Sequence, residues 1–205
     1  MKILLVDDHG VVREGVRRLL SVHFDPTVLE AADVEGALEV YKRETPDLVL
    51  LDINLEGLGG FEFLRRVLLA DAAAKVLIFS MHAEPVYAVR AMRAGARGYV
   101  SKSAPVDELI AAVRKVADGG QYVDRDIASR IAVGQVPAED PLKQLTIREI
   151  EILRLLGQGK SLTGISEALG LAYKTVANIC SQMKVKLGVE RTADLIRLAV
   201  ETLQP

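Results

Sequence analysis

One alternation constrains this chain more than any other feature. Short, nearly continuous apolar runs fall at ILLV (3–6), LVLL (48–51), VLIF (76–79) and GYV (98–100), with a weaker run, TVLEA, at 27–31. Between them lie helical spacings: Val12, Val16, Leu19 and Leu20; Val34, Ala37, Leu38 and Tyr41; Val106, Leu109, Ile110, Val113 and Ala117. Strands that are apolar on both faces need cover on both faces, and amphipathic helices supply it. The pattern predicts an α/β fold over about residues 1–120, a doubly wound five-stranded parallel sheet.

Each of the four stronger runs gives way to polar residues. Asp7 and Asp8 succeed the first, Asp52 the second, Ser80 the third, and Ser101-Lys102 the fourth. In a parallel sheet these ends share one edge, where open α/β folds bind ligands. Three carboxylates, a hydroxyl and an ammonium are therefore expected to converge. Adjacent Asp7 and Asp8 repel one another, so the pair needs open water or a cation. This hard-oxygen set suits Mg²⁺, which keeps several waters and accepts phosphate oxygens. Each residue also has a structural alternative: Asp8 as cap of the helix near His9, Ser80 as cap of the helix near Glu84, Lys102 as a solvated lysine. His9, His23 and His82 lack metal-ligand spacing and are expected at the surface, although His82 falls close to the edge.

The turn-rich DGG (118–120) closes this unit. Residues 121–142 read as a linker carrying a short helix, with Asp124 as its cap and Ile127, Ala128 and Ile131 as its apolar side. VGQVPAEDP (133–141) reads as exposed connector. From 143 to 205 only helical signals remain, predicting a compact four-helix module. Thr146 and Glu149 form a capping-box pattern, and Ser161 can cap a second helix ending near Gly170. A third helix, about 173–187, has Val176, Ile179, Cys180, Met183 and Leu187 on its apolar face, and a fourth spans roughly 191–202.

Charge divides the chain the same way. Residues 143–205 hold nine Lys/Arg against six Asp/Glu, and residues 1–142 hold 17 against 22. An acidic front and a mildly basic back suggest modules with different partners. Cys180 is alone, which excludes a disulfide framework and a cysteine metal cluster, and fits a reducing cytoplasm. No apolar run approaches the ~18–20 residues of a membrane span, and MKILLVDD does not read as a signal peptide. On the third helix Lys174, Asn178, Ser181 and Val185 lie opposite the apolar face, Ala177 and Gln182 flank them, and 172–187 contains no acid. Such a face is either ordinary solvated helix or suited to a major groove, lysines meeting phosphates and Asn meeting adenine.

LLVDDH, DLVLLDINLEGLGG, IFSMH and ARGYVSK resemble the receiver domain of bacterial two-component response regulators. The resemblance implies a flavodoxin-like fold, with Asp52 as phosphoacceptor for a sensor histidine kinase. It implies Mg²⁺ on Asp8, Asp52 and the Asn54 carbonyl, with Asp7 reaching it through water. Ser80 and Lys102 would hold phosphoryl oxygens, and Tyr99 would switch with Ser80. Leu55-Glu56 stand where the family often has Met-Pro.

LTIREIEILRLLGQGKS, ISEALGL, KTVANICSQMKVKLGV and RTADLI resemble the LuxR-type helix-turn-helix. The pair of modules is the architecture of the NarL/FixJ class of transcriptional regulators. The resemblance implies base contacts by Ala177, Asn178 and Ser181, with Lys174, Thr175 and Lys186 near the DNA backbone. It implies a homodimer on double-stranded DNA, with RNA polymerase as a further partner. Leu162, Thr163, Gly164, Ala172, Ala177 and Ile179 depart from the family's frequent residues. Two alternatives are a phospho-dependent protein-interaction switch without DNA binding and an Mg²⁺-dependent phosphohydrolase. Against the enzyme stands the lack of a second catalytic acid or cap domain in the sequence.

Overall fold

The computed structural model of the chain describes residues 1–55, 59–134, 142 and 144–203. Glu56 and most of the 133–141 connector lie outside them. The chain forms two compact units, Met1–Gln135 and Val136–Pro205.

In the first unit, strands and helices alternate: β1 (Lys2–Val6), α1 (Gly10–Phe24), β2 (Thr27–Ala31), α2 (Val34–Glu44), β3 (Leu48–Leu51), α3 (Gly60–Ala70), β4 (Val76–Ser80), α4 (Pro85–Arg93), β5 (Gly98–Ser101) and α5 (Val106–Ala117). β6 (Tyr122–Val123) and α6 (Arg125–Ala132) complete it. All pairings among the described residues are parallel, in the order β2-β1-β3-β4-β5-β6. Five strands are expected from the apolar runs; the sixth is β6, two residues in the stretch read as linker. It pairs Gly98 with Tyr122 and Tyr99 with Val123, and α6 follows it within the same unit.

The two-residue period of the strands assigns their side chains to two cores. Ile3, Leu5, Leu48, Leu50, Leu77 and Val100 pack with Val16 and Leu20 of α1 and with Leu109, Val113 and Val116 of α5. The alternate residues, Leu4, Val6, Val49, Leu51 and Ile78, are equally buried. Val106 keeps helical spacing with this face but is 54% exposed, because it begins the first turn of α5.

The second unit contains α7 (Ile147–Gly157), α8 (Leu162–Ala168), α9 (Tyr173–Leu187) and α10 (Thr192–Leu203). Thr146 Oγ1 accepts the Glu149 N–H at 3.3 Å and Glu149 Oε2 accepts the Thr146 N–H at 2.6 Å, so the capping box forms. Ser161 caps α8 by accepting the Gly164 N–H at 3.1 Å. The core holds Ile150, Leu153, Ile165, Val176, Cys180, Met183, Leu195 and Ala199.

Candidate functional site

The C-terminal ends of β1 and β3 are tied together by the Asp52 N–H, which donates to Val6 O at 2.8 Å. This carries Asp7 and Asp52 to one edge, both nearly excluded from solvent. Lys102 arrives from the end of β5, where its N–H donates to Ser80 O at 2.7 Å. Its ammonium lies 2.6 Å from Asp7 Oδ2 and 2.5 Å from Asp52 Oδ2. The other Asp52 oxygen accepts the Asn54 N–H at 3.0 Å. Burial pushes the Asp52 carboxyl above its ordinary value, against the pull of Lys102 and the Asn54 N–H. Burial pulls the Lys102 ammonium down, but Asp52 and Asp7 outweigh it and hold it above the ordinary lysine value.

Asp8 sits beside this pair. Its Oδ1 is buried and accepts no hydrogen bond from the described residues, although His9 Nδ1 lies 2.5 Å away. Ligand atoms of Asp7, Asp8, His9 and Asp52 all lie within 4.8 Å of one another. A buried carboxylate oxygen lacking a hydrogen bond, inside a tight group of three carboxylates and an imidazole, fits a divalent cation. The capping alternatives do not hold. The N-cap of α1 is His9 and that of α4 is Glu84, while Ser80 Oγ accepts the His82 N–H at 3.3 Å.

Tyr99 is fully buried, and its hydroxyl donates to His82 O at 2.8 Å. Burial holds its phenol well above the ordinary tyrosine value. His82 itself departs from the expected surface position. It is 4% exposed, its ring stacks on Tyr87 at 4.2 Å, and Nε2 lies 2.8 Å from Asn54 Oδ1. Tyr87, five residues further on, supplies a stacking partner, and His82 precedes α4, so no helical period marks it as buried.

In the second unit α9 turns Val176, Cys180 and Met183 inward, with Lys174, Thr175, Asn178 and Ser181 exposed and Ala177 partly so. Ser181 Oγ donates to Ala177 O of its own helix at 3.1 Å. Lys186 is committed elsewhere: its ammonium lies 2.8 Å from each Glu149 carboxylate oxygen. That ion pair bridges α9 to the capping box of α7, so a structural role competes with the expected contact to the DNA backbone.

Ala172, the N-cap of α9, has an extended backbone but makes no side-chain cap bond. Ala172→Ser is expected to stabilise the second unit by about 1 kcal/mol, read as a higher thermal midpoint. An unchanged midpoint would mean that the first turn already finds other partners.

Residues 3–114 match the response regulator receiver domain family, and residues 143–199 match the bacterial regulatory proteins, luxR family. Response regulator UvrY of Escherichia coli K12 is 35% identical over 204 residues, covering 98% of this chain and 94% of that protein. A LuxR-family two-component response regulator from Aurantimonas is 43% identical with a TM-score of 0.63, covering 66% of this chain and 97% of that one. RcsB from Salmonella enterica serovar Typhimurium, bound to promoter rprA in the presence of BeF₃⁻, shares the fold at 21% identity with a TM-score of 0.66, covering 97% and 98%. Two family matches in this order, over a receiver-type sheet and a helical module, place the chain among the NarL/FixJ response regulators, with a receiver domain and a LuxR-type DNA-binding domain that regulate transcription.

Proposed function

We propose that Asp52 accepts a phosphoryl group from the phosphohistidine of a sensor kinase, and that the resulting charge controls dimerisation and sequence-specific DNA binding. One observation carries this reading: a buried carboxylate at the sheet edge, 2.5 Å from Lys102 and grouped with Asp7 and Asp8. Asp52 supplies a carboxylate oxygen to phosphorus as the P–N bond breaks, and the departing imidazole keeps the electron pair. Two anions must approach one another in that step. Lys102 offsets the repulsion, because its ammonium already lies between Asp7 and Asp52 and can follow the incoming oxygens. Asp7, Asp8, Asp52 and the Asn54 carbonyl would hold Mg²⁺, which screens the phosphoryl oxygens when bound. The chain is thus its own substrate, and turnover of an external one is no part of the scheme.

The phosphoryl group carries roughly −1.5 to −2 charge in place of the single negative charge of the Asp52 carboxylate, in a site of little solvent. Ser80 would be drawn toward it, and Tyr99, hydrogen-bonded beside it at His82, would follow as the switch. The output is double-stranded DNA, read by Ala177, Asn178 and Ser181 and held by Lys174 and Thr175. RcsB has been seen on promoter DNA in this fold. A module of this size covers one half-site, so a homodimer on paired half-sites follows, acting in the cytoplasm beside RNA polymerase. No helix among the described residues is long and apolar enough to cross a membrane.

Two lysines of α9 separate DNA contact from folding. Lys174→Ala should weaken DNA binding evenly across sequences and reduce the salt slope by about one, with stability unchanged within about 0.5 kcal/mol. Lys186→Met should destabilise the second unit by roughly 1–2 kcal/mol, because it strips a partner from nearly buried Glu149. Salt titration of binding and denaturant melts check both; a reversed pattern would exchange the roles of the two lysines. Acceptance of a phosphoryl group by Asp52 is tested by incubation with acetyl phosphate and Mg²⁺ followed by peptide mapping, with label on Asp52 as the expected result.

A further inference from the structure

Helix α6 is bonded to both loops that flank the phosphorylation edge. Its N-cap, Asp124, is 2% exposed; Oδ2 accepts the Ser101 N–H at 2.9 Å and Oδ1 accepts the Ile127 N–H at 3.0 Å. The Asp124 N–H donates to Tyr99 O at 3.0 Å. Ser101 directly precedes Lys102, so Asp124 fixes the strand end from which Lys102 reaches Asp52. Near the far end of the helix, Arg130 Nη1 donates to Ala83 O at 3.1 Å. Ala83 follows His82, whose carbonyl receives the Tyr99 hydroxyl and whose N–H bonds Ser80. A cleft of about 410 Å³ lies beside these attachments, lined by Ala83, Ser103, Pro105, Glu108, Arg125 and Ile127 among others. Ile127, 1% exposed, packs the helix onto the unit, and Asp124 and Arg130 add discrete polar attachments to the two loops.

We propose that Asp124 and Arg130 are positioning residues that tie α6 to the state of the phosphorylation site. The proposal rests on Asp52 as phosphoacceptor and goes beyond it by naming the element that reads the result. Movement of Lys102 toward a phosphoryl group displaces the Ser101 N–H, and movement of Ser80 displaces Ala83 O. A buried carboxylate gives up an N–H partner reluctantly because no water replaces it, so the N-terminus of α6 follows Ser101. Arg130 is partly exposed and loses less when its carbonyl moves away, so the far end yields first. α6 is the last described helix before the second unit in the chain, and so stands where a signal must pass.

Hydrogen exchange of the full chain with Mg²⁺, with and without beryllofluoride, tests this. In the unsubstituted chain, amides at 80–83, 101–104 and in α6 should all change their exchange rates, α6 by about tenfold. In Asp124→Asn, which keeps one acceptor oxygen in place of two, and in Arg130→Ala, the loops should respond as before while the α6 response falls below about twofold. Arg130→Lys restores a donor and should restore the response. Arg130→Ala leaves the helix cap in place, so at least one variant stays folded, as its thermal midpoint will record. Silence of α6 in the unsubstituted chain while the loops respond would overturn the proposal, as would a full α6 response in both variants. Labelling of Asp52 by acetyl phosphate is measured alongside; its absence, with silent loops, would remove the phosphoacceptor reading and this proposal together.

Discussion

Asp52→Asn is expected to abolish labelling by acetyl phosphate while the first unit stays folded. The amide oxygen of Asn is a far weaker nucleophile than a carboxylate. Removing the nucleophile should cost at least about a hundredfold, in practice the whole signal. Folding is expected to survive for a geometric reason. Asn occupies the same volume, its oxygen can still accept the Asn54 N–H, and Lys102 keeps Asp7 at 2.6 Å. Burial disfavours the ionised Asp52, which offsets part of the cost of losing the Lys102 contact. Mass spectrometry of the labelled chain and a denaturant melt read the two halves of the expectation. Undiminished label at another residue would defeat the assignment.

Gly60→Ala carries the largest expected effect on folding. Gly60 opens α3, and its N–H donates to Ile53 O at 3.1 Å. A Cβ there would stand 2.2 Å from Asp52 O and 2.7 Å from Ile53 Cα. Both obstacles are backbone, so no side chain can turn aside. Helix propensity favours Ala by about 1 kcal/mol, but overpacking against fixed backbone costs up to about 3 kcal/mol, and the clash decides the sign. The loop that must move carries Asp52, so labelling should fall with stability. Four of the five tyrosines lie in the first unit, which makes tyrosine fluorescence during urea unfolding a suitable probe. A midpoint equal to that of the unsubstituted chain would show that the loop yields at no cost.

The sheet edge was legible because its logic is local and repeated. Each of the four stronger apolar runs gives way to a polar residue, and parallel strands deliver their ends to one side whatever the details of packing. β1, β3 and β4 follow their runs almost residue for residue. β6 was hidden for the opposite reason: two residues show no period, and Tyr122 and Val123 become a strand only because β5 offers them an open edge. The burial of His82 depends on Tyr87 and Asn54, which reach it from a helix and from another strand's loop. The pairing of Lys186 with Glu149, which competes with the DNA contact that the resemblance implies, joins residues 37 apart in the chain and leaves no local pattern. On α9 the helical period sorted Val176, Cys180 and Met183 from Asn178 and Ser181, since one amphipathic helix carries that information within itself.

The decisive measurement first recovers the genomic DNA fragments that the full chain binds, then compares its affinity for them with and without acetyl phosphate, beside Asp52→Asn under the same salt. Phosphorylation should change the affinity of the unsubstituted chain by about tenfold or more and leave the variant unmoved. An equal change in both proteins would contradict control through Asp52, and a chain that recovers no DNA in either state would contradict the output assigned to α9.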